Sequence, residues 1–115
     1  MDKKILKWLY DVKVSIDEIN SYFIDERMDF FEYGKNLMRK RAVERNLEII
    51  GEAINRILKT DNSYTSKITD ATAIVGLRNQ VIHAYDNISD ETIWAILTNH
   101  LPKLKIEIDK LLKGN

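Results

Sequence analysis

The chain has no cysteine. That excludes a disulfide framework, a zinc–thiolate centre and a cysteine nucleophile, and it fits a reducing compartment. One proline and four glycines in 115 residues leave few positions that break a helix. Net charge is absent too: 18 basic residues balance 18 acidic ones, without the overall basic excess that marks a nucleic-acid binder. No long apolar run occurs, because Lys3, Lys4, Lys7, Asp11 and Lys13 interrupt the first hydrophobic stretch. The expectation is a soluble, cytoplasmic protein with no signal peptide and no membrane span. Histidine is scarce, with His83 and His100 alone, and there is no glycine-rich phosphate loop, nucleophile elbow or Glu-x-x-His pair. The sequence therefore implies neither a metal nor an organic cofactor.

What is present is helical periodicity. Ile5, Trp8/Leu9, Val12, Ile16, Ile19 and Phe23 recur at steps of three or four and predict a first helix capped by Asp2. The pattern lapses over Asp25–Met28, after which Asp29 can cap a short turn that Gly34 ends. A second helix is predicted from about Asn36 to Thr60 on the stripe Leu37, Val43, Leu47, Ile50, Ile54 and Ile57/Leu58, with Asp61-Asn62-Ser63 as a loop. Gly51 within it points to a close helix crossing. A third helix starts near Thr69/Asp70, carries Ile74, Leu77, Val81 and Ile82, and ends at Asp86-Asn87. Ser89 then caps a last helix with Ile93, Leu97, Leu101, Leu104, Ile108 and Leu111 on its stripe. Pro102 should kink that helix or open a new segment, and should disfavour helix at Leu101. The prediction is an all-α, antiparallel bundle of four to five helices forming one domain over residues 1–115.

Lys35, Arg39, Lys40, Arg41 and Arg45 form a local basic run, which reads first as a solvated helix face and second as a basic face for nucleic acid. Trp8 and Trp94 read as core or interface anchors, and Glu48 and Glu52 as helix-surface carboxylates. His100, beside Pro102, reads as a surface residue.

The densest set of chemically matched groups lies between Arg78 and Tyr85. On a helix Asn79 and His83 are four apart and share a face, and Arg78 and Tyr85 are seven apart. An imidazole moves protons near neutral pH, and a guanidinium presents a fixed fork of donors to phosphate oxygens. Asn79 can orient the imidazole or bond the phosphate, and Tyr85 can stack on a base. Such a set suits phosphodiester cleavage. One segment supplies one histidine, however, where acid–base cleavage wants two groups, and a two-fold dimer would supply the second. The bland reading is a histidine that caps a helix or packs an interface.

Arg78-Asn79-Gln80-Val81-Ile82-His83-Ala84-Tyr85 resembles the Arg-x4-His-x-Tyr motif of HepT-like proteins, a branch of the HEPN superfamily. The run from Arg41 to Ala53, the lead-in Ile74-Val75-Gly76-Leu77 and the stretch Leu101-Pro102-Lys103-Leu104-Lys105 also resemble that family. The resemblance implies a metal-independent ribonuclease, the toxin of a toxin–antitoxin pair, whose helical bundle forms a homodimer or higher oligomer. Arg78 would then hold the phosphate of an RNA substrate, His83 would be the acid–base group, and Asn79 would support them. The implied partner is an MntA-like minimal nucleotidyltransferase antitoxin that places AMP on Tyr85. The alternative is a non-catalytic helical module that docks or regulates a nucleotidyltransferase.

Overall fold

The computed structural model describes residues 2–23, 30–83 and 89–114, with the backbone alone for 78–83. Its elements are α1 (Lys3–Ser21), α2 (Phe30–Lys35), α3 (Leu37–Thr60), a 3₁₀ turn (Asn62–Ser66), α4 (Ala71–His83), α5 (Asp90–Ala95), a π turn (Ile96–His100) and α6 (Leu101–Leu112). No strand occurs among the described residues, so the all-α expectation holds. Nor, among those residues, is any helix long and apolar enough to cross a membrane.

Local chemistry sets the helix ends. The Asp2 carboxylate accepts the N–H groups of Lys4 and Ile5 at 2.7 and 3.3 Å, satisfying donors that the first turn of α1 leaves unpaired. Asn36 caps α3 through the Arg39 N–H at 3.0 Å, and Ser89 caps α5 through the Thr92 N–H at 3.2 Å. The expected loop after Thr60 is instead a 3₁₀ turn. Asp61 accepts both the N–H and the hydroxyl of Ser63, and buried Tyr64 anchors the turn to the core. Gly34 does not end α2, which continues to Lys35. The expected cap Asp29, the lapse at Asp25–Met28 and the helix end at Asp86-Asn87 lie outside the described residues.

Each long helix buries one stripe. Ile5, Leu9, Val12, Ile16 and Ile19 of α1 meet Val43, Leu47, Ile50, Ile54 and Ile57 of α3, and Leu104 and Ile108 of α6 close the other side of α1. Of these, Leu9, Val12, Ile19, Val43, Ile54 and Ile57 are fully excluded from solvent. Burying one such side chain contributes roughly 1.5–3 kcal/mol, so this slab supplies most of the hydrophobic stabilisation. Lys13–Asp109 at 3.1 Å crosses from α1 to α6, a partly exposed pair of small energetic weight. α4 packs on α3, which it meets after the 3₁₀ turn reverses the chain. Gly51 of α3 is buried.

The rod from α5 to α6 handles its proline in an unusual way. A new α segment does open there, with Pro102 in its first turn, where the missing N–H costs little. Leu101, however, is helical, with φ −63° and ψ −44°, against the expectation drawn from its position before proline. The preceding turn is widened: the Leu101 N–H bonds the Ile96 carbonyl, five residues back. A π turn of this kind has an extra residue, which gives the pyrrolidine ring room upstream.

Candidate functional site

The basic run resolves residue by residue. Lys35 pairs with Glu32 at 3.1 Å, Lys40 with Asp90 at 2.9 Å, Arg41 with Glu44 at 2.9 Å and Arg45 with Glu48 at 3.4 Å. Arg39 departs from the solvated-face expectation. It is buried, donates to the Glu32 carbonyl and lies over the Phe23 ring at 4.9 Å. The run is therefore a set of carboxylate-paired cations around one buried structural arginine.

Arg78, Asn79 and His83 occupy the last turns of α4, on one continuous helix. Their backbone register keeps Asn79 and His83 one turn apart on a shared face, while Arg78 is offset from both. Their side chains, and Tyr85 altogether, lie outside the described residues. The described residues that follow α4 in the chain are better defined. Seven residues after His83, α5 starts at Asp90, which the Lys40 ammonium ties to the first turn of α3. Beneath lies an aromatic layer in which Trp94 meets Tyr33 and Phe30 at ring-centre distances of 5.9 and 6.2 Å. Trp94 is thus a packing anchor, as expected. Tyr33 is fully buried there, and burial pushes its phenol well above the ordinary tyrosine range.

A second polar cluster stands at the opposite end of α4, and sequence reasoning missed it. His100 Nδ1 is 2.8 Å from Asp70 Oδ2, and Lys103 Nζ is 3.0 Å from the same oxygen. The His100 hydrogen bond first, and then that of Lys103, hold the Asp70 carboxyl below the usual carboxylate range. Next to it, Glu107 of α6 accepts the Thr69 N–H and hydroxyl. The expectation of a plain surface histidine is corrected here: His100 is half-buried and hydrogen-bonded across 30 residues of chain. The only local signal was its place two residues before Pro102.

Among the described residues, two grooves flank the bundle. One, of about 280 Å³, runs between α4 and the α5–π rod and is lined by Ala73, Ile74, Gly76, Leu77, Thr92, Ile96 and His100. The other, of about 320 Å³, lies between α1 and α3, with Trp8, Ile49 and Ala53 as its apolar wall. Glu48 and Glu52 stand on its rim, paired with Arg45 and Arg56, in the helix-surface role expected of them.

Comparison with known proteins supplies the family. The profile described as "Ribonuclease HepT-like" matches residues 12–111. Two proteins of Methanocaldococcus jannaschii, each named a "putative RNase", are 33% and 36% identical to this chain. The first alignment covers 98% of this chain and 96% of the relative, the second 95% and 98%. A third so named, from Caldanaerobacter subterraneus subsp. tengcongensis, is 31% identical over 79% of this chain and 83% of its own length. No solved structure matches. With the α-helical bundle and the helix-borne Arg78, Asn79 and His83 already in place, this coverage makes the chain a member of the ribonuclease HepT-like family.

Proposed function

We propose that this chain is a metal-independent ribonuclease and the toxin of a toxin–antitoxin pair, with its active centre formed where two copies meet. Arg78 binds the scissile phosphate and stabilises charge that builds on its oxygens. His83 takes the proton from a ribose 2′-hydroxyl as that oxygen attacks phosphorus. His83 of the partner subunit delivers a proton to the departing 5′-oxygen. The products are a 2′,3′-cyclic phosphate and a free 5′-hydroxyl, so atoms and charge balance without a metal. Asn79, one turn before His83 on the same face, orients the ring or bonds the phosphate. The homodimer brings the second histidine that one α4 lacks.

Control falls to Tyr85. A minimal nucleotidyltransferase of the MntA type transfers AMP from ATP to its hydroxyl. The modification adds bulk and negative charge beside Arg78 and His83, where an RNA phosphate has to sit. The observation that carries this reading is the placement of Arg78, Asn79 and His83 on the last turns of one helix in a chain of this ribonuclease family. The test is RNA cleavage by purified protein in EDTA, alongside Arg78→Ala, His83→Ala and Tyr85→Phe. Wild type and Tyr85→Phe should cleave and the other two should not, and Tyr85→Phe should escape the mass gain of one AMP. Unmodified, cleavage-free wild type removes the proposal; AMP-modified protein that never cleaves RNA points instead to a docking module.

A further inference from the structure

The groove between α4 and the α5–π rod has no part in the chemistry above. On α4 its wall includes Ala73 and Gly76. The helical register continues that line through Gln80 to His83, at spacings of three, four and three residues. The groove and the candidate acid–base residue therefore belong to one stripe of one helix, with Gly76 and His83 about 10 Å apart along the axis. His100 closes the far end. Its partner Asp70 lies 13 residues before His83, about 20 Å along α4, so His100 and His83 of one chain do not share a phosphate.

The chemistry of the groove is selective. Its walls are small at Ala73 and Gly76 and apolar at Ile96, and a Cβ at Gly76 would meet no atom within 4 Å. Among the described residues, two polar side chains line this apolar space: Thr92, whose hydroxyl is 2.8 Å from Ser89 Oγ, and His100. Asp70 takes the Nδ1 side of that ring and fixes its plane, leaving Nε2 as the second polar edge. A flat, mostly apolar ring with polar atoms on its rim fits such a slot, and an unpaired nucleobase has that character.

The geometry points to a base-binding subsite: this groove takes an unpaired base of the RNA strand whose phosphate lies at His83, with Thr92 and His100 contacting its edge and Asp70 as the positioning residue for His100. The inference rests on the ribonuclease reading, but its test does not require turnover. Short fluorescent single strands of A, C, G or U are titrated against the His83→Ala protein, alone and with Gly76→Leu, His100→Leu or Asp70→Asn added. Gly76→Leu fills the groove at an exposed helical position while raising helix propensity, so loss of fold does not confuse the result.

Binding should weaken on the order of tenfold with Gly76→Leu, the size of one stacked base. His100→Leu should flatten the ranking of the four strands, and Asp70→Asn should do so in part. Unchanged affinity and ranking in all three overturn the subsite, as does the absence of any RNA binding. A change of oligomeric state by Gly76→Leu in light scattering, with RNA affinity intact, also overturns it and assigns the groove to a second copy. Cleavage that depends on His83 but shows the same base preference in wild type and His100→Leu removes the subsite while leaving the ribonuclease in place. No cleavage by wild type, with ranked binding that His100→Leu abolishes, does the reverse.

Discussion

The slab of α1, α3 and α6 and the edge formed by α4 and α5 are built on different terms. In the slab, branched side chains at helical spacing leave no solvent at Leu9, Val12, Val43 or Ile54. Along the edge, the walls are Ala73 and Gly76, the rod widens into a π turn, and a polar cluster at Asp70 stands beside a groove. The slab holds shape, and the edge carries the candidate site. Substitutions should therefore separate into those that unfold the protein and those that silence it.

The largest separation is expected at His83. His83→Ala should lower RNA cleavage by about 10²–10⁴-fold, the usual size of lost acid–base help. Helix content by circular dichroism should stay the same, since alanine is the best helix former. Loss of helicity in step with activity would break the contrast. The mirror experiment is Ile54→Ala. It empties a fully buried site and should cost about 2–5 kcal/mol in urea unfolding. At 20 °C, the fraction that stays folded should cleave normally.

Smaller effects sharpen the same line. Gly76→Ala on the edge should raise unfolding free energy by up to about 1 kcal/mol, because the added methyl meets nothing and restores helix propensity. A comparable gain is not expected at buried Gly51 in the slab. The smallest effect belongs to Asp70. Its folded-state pKa is depressed, so its contribution is complete above the unfolded carboxylate value of 3.8 and fades as pH falls through the lower native value. Asp70→Asn should consequently narrow its melting-temperature deficit as pH drops below 3.8. A deficit that grows with acid would reverse the assigned sign.

The slab was readable from sequence because its forces are local and periodic. Ile5, Leu9, Val12, Ile16 and Ile19 announce one buried stripe, and Asp2, Asn36 and Ser89 announce their helices by short-range capping. Arg78, Asn79 and His83 stand out for the same reason, as a compact spacing on one helix. The edge cluster was not. Asp70 and His100 meet only after two helices reverse direction, and neither residue carries a mark of the other in its neighbours. Arg39 misled because a charge run suggests water, whereas Phe23 and the Glu32 carbonyl provide a buried seat for one guanidinium. Tyr33 likewise sits in a short helix whose pattern is too brief to reveal which face is inward.

The five-residue turn from Ile96 to His100 makes the rod one residue longer than an uninterrupted α-helix between the same points. A deletion of one residue inside that turn would regularise the helix and leave Leu101, Leu104 and Ile108 in phase with the core, while a deletion on either side would rotate them out. The spare residue is therefore where the chain can lose length at least structural penalty, and His100, the last residue of the turn, is the group whose bond to Asp70 such a shortening would test.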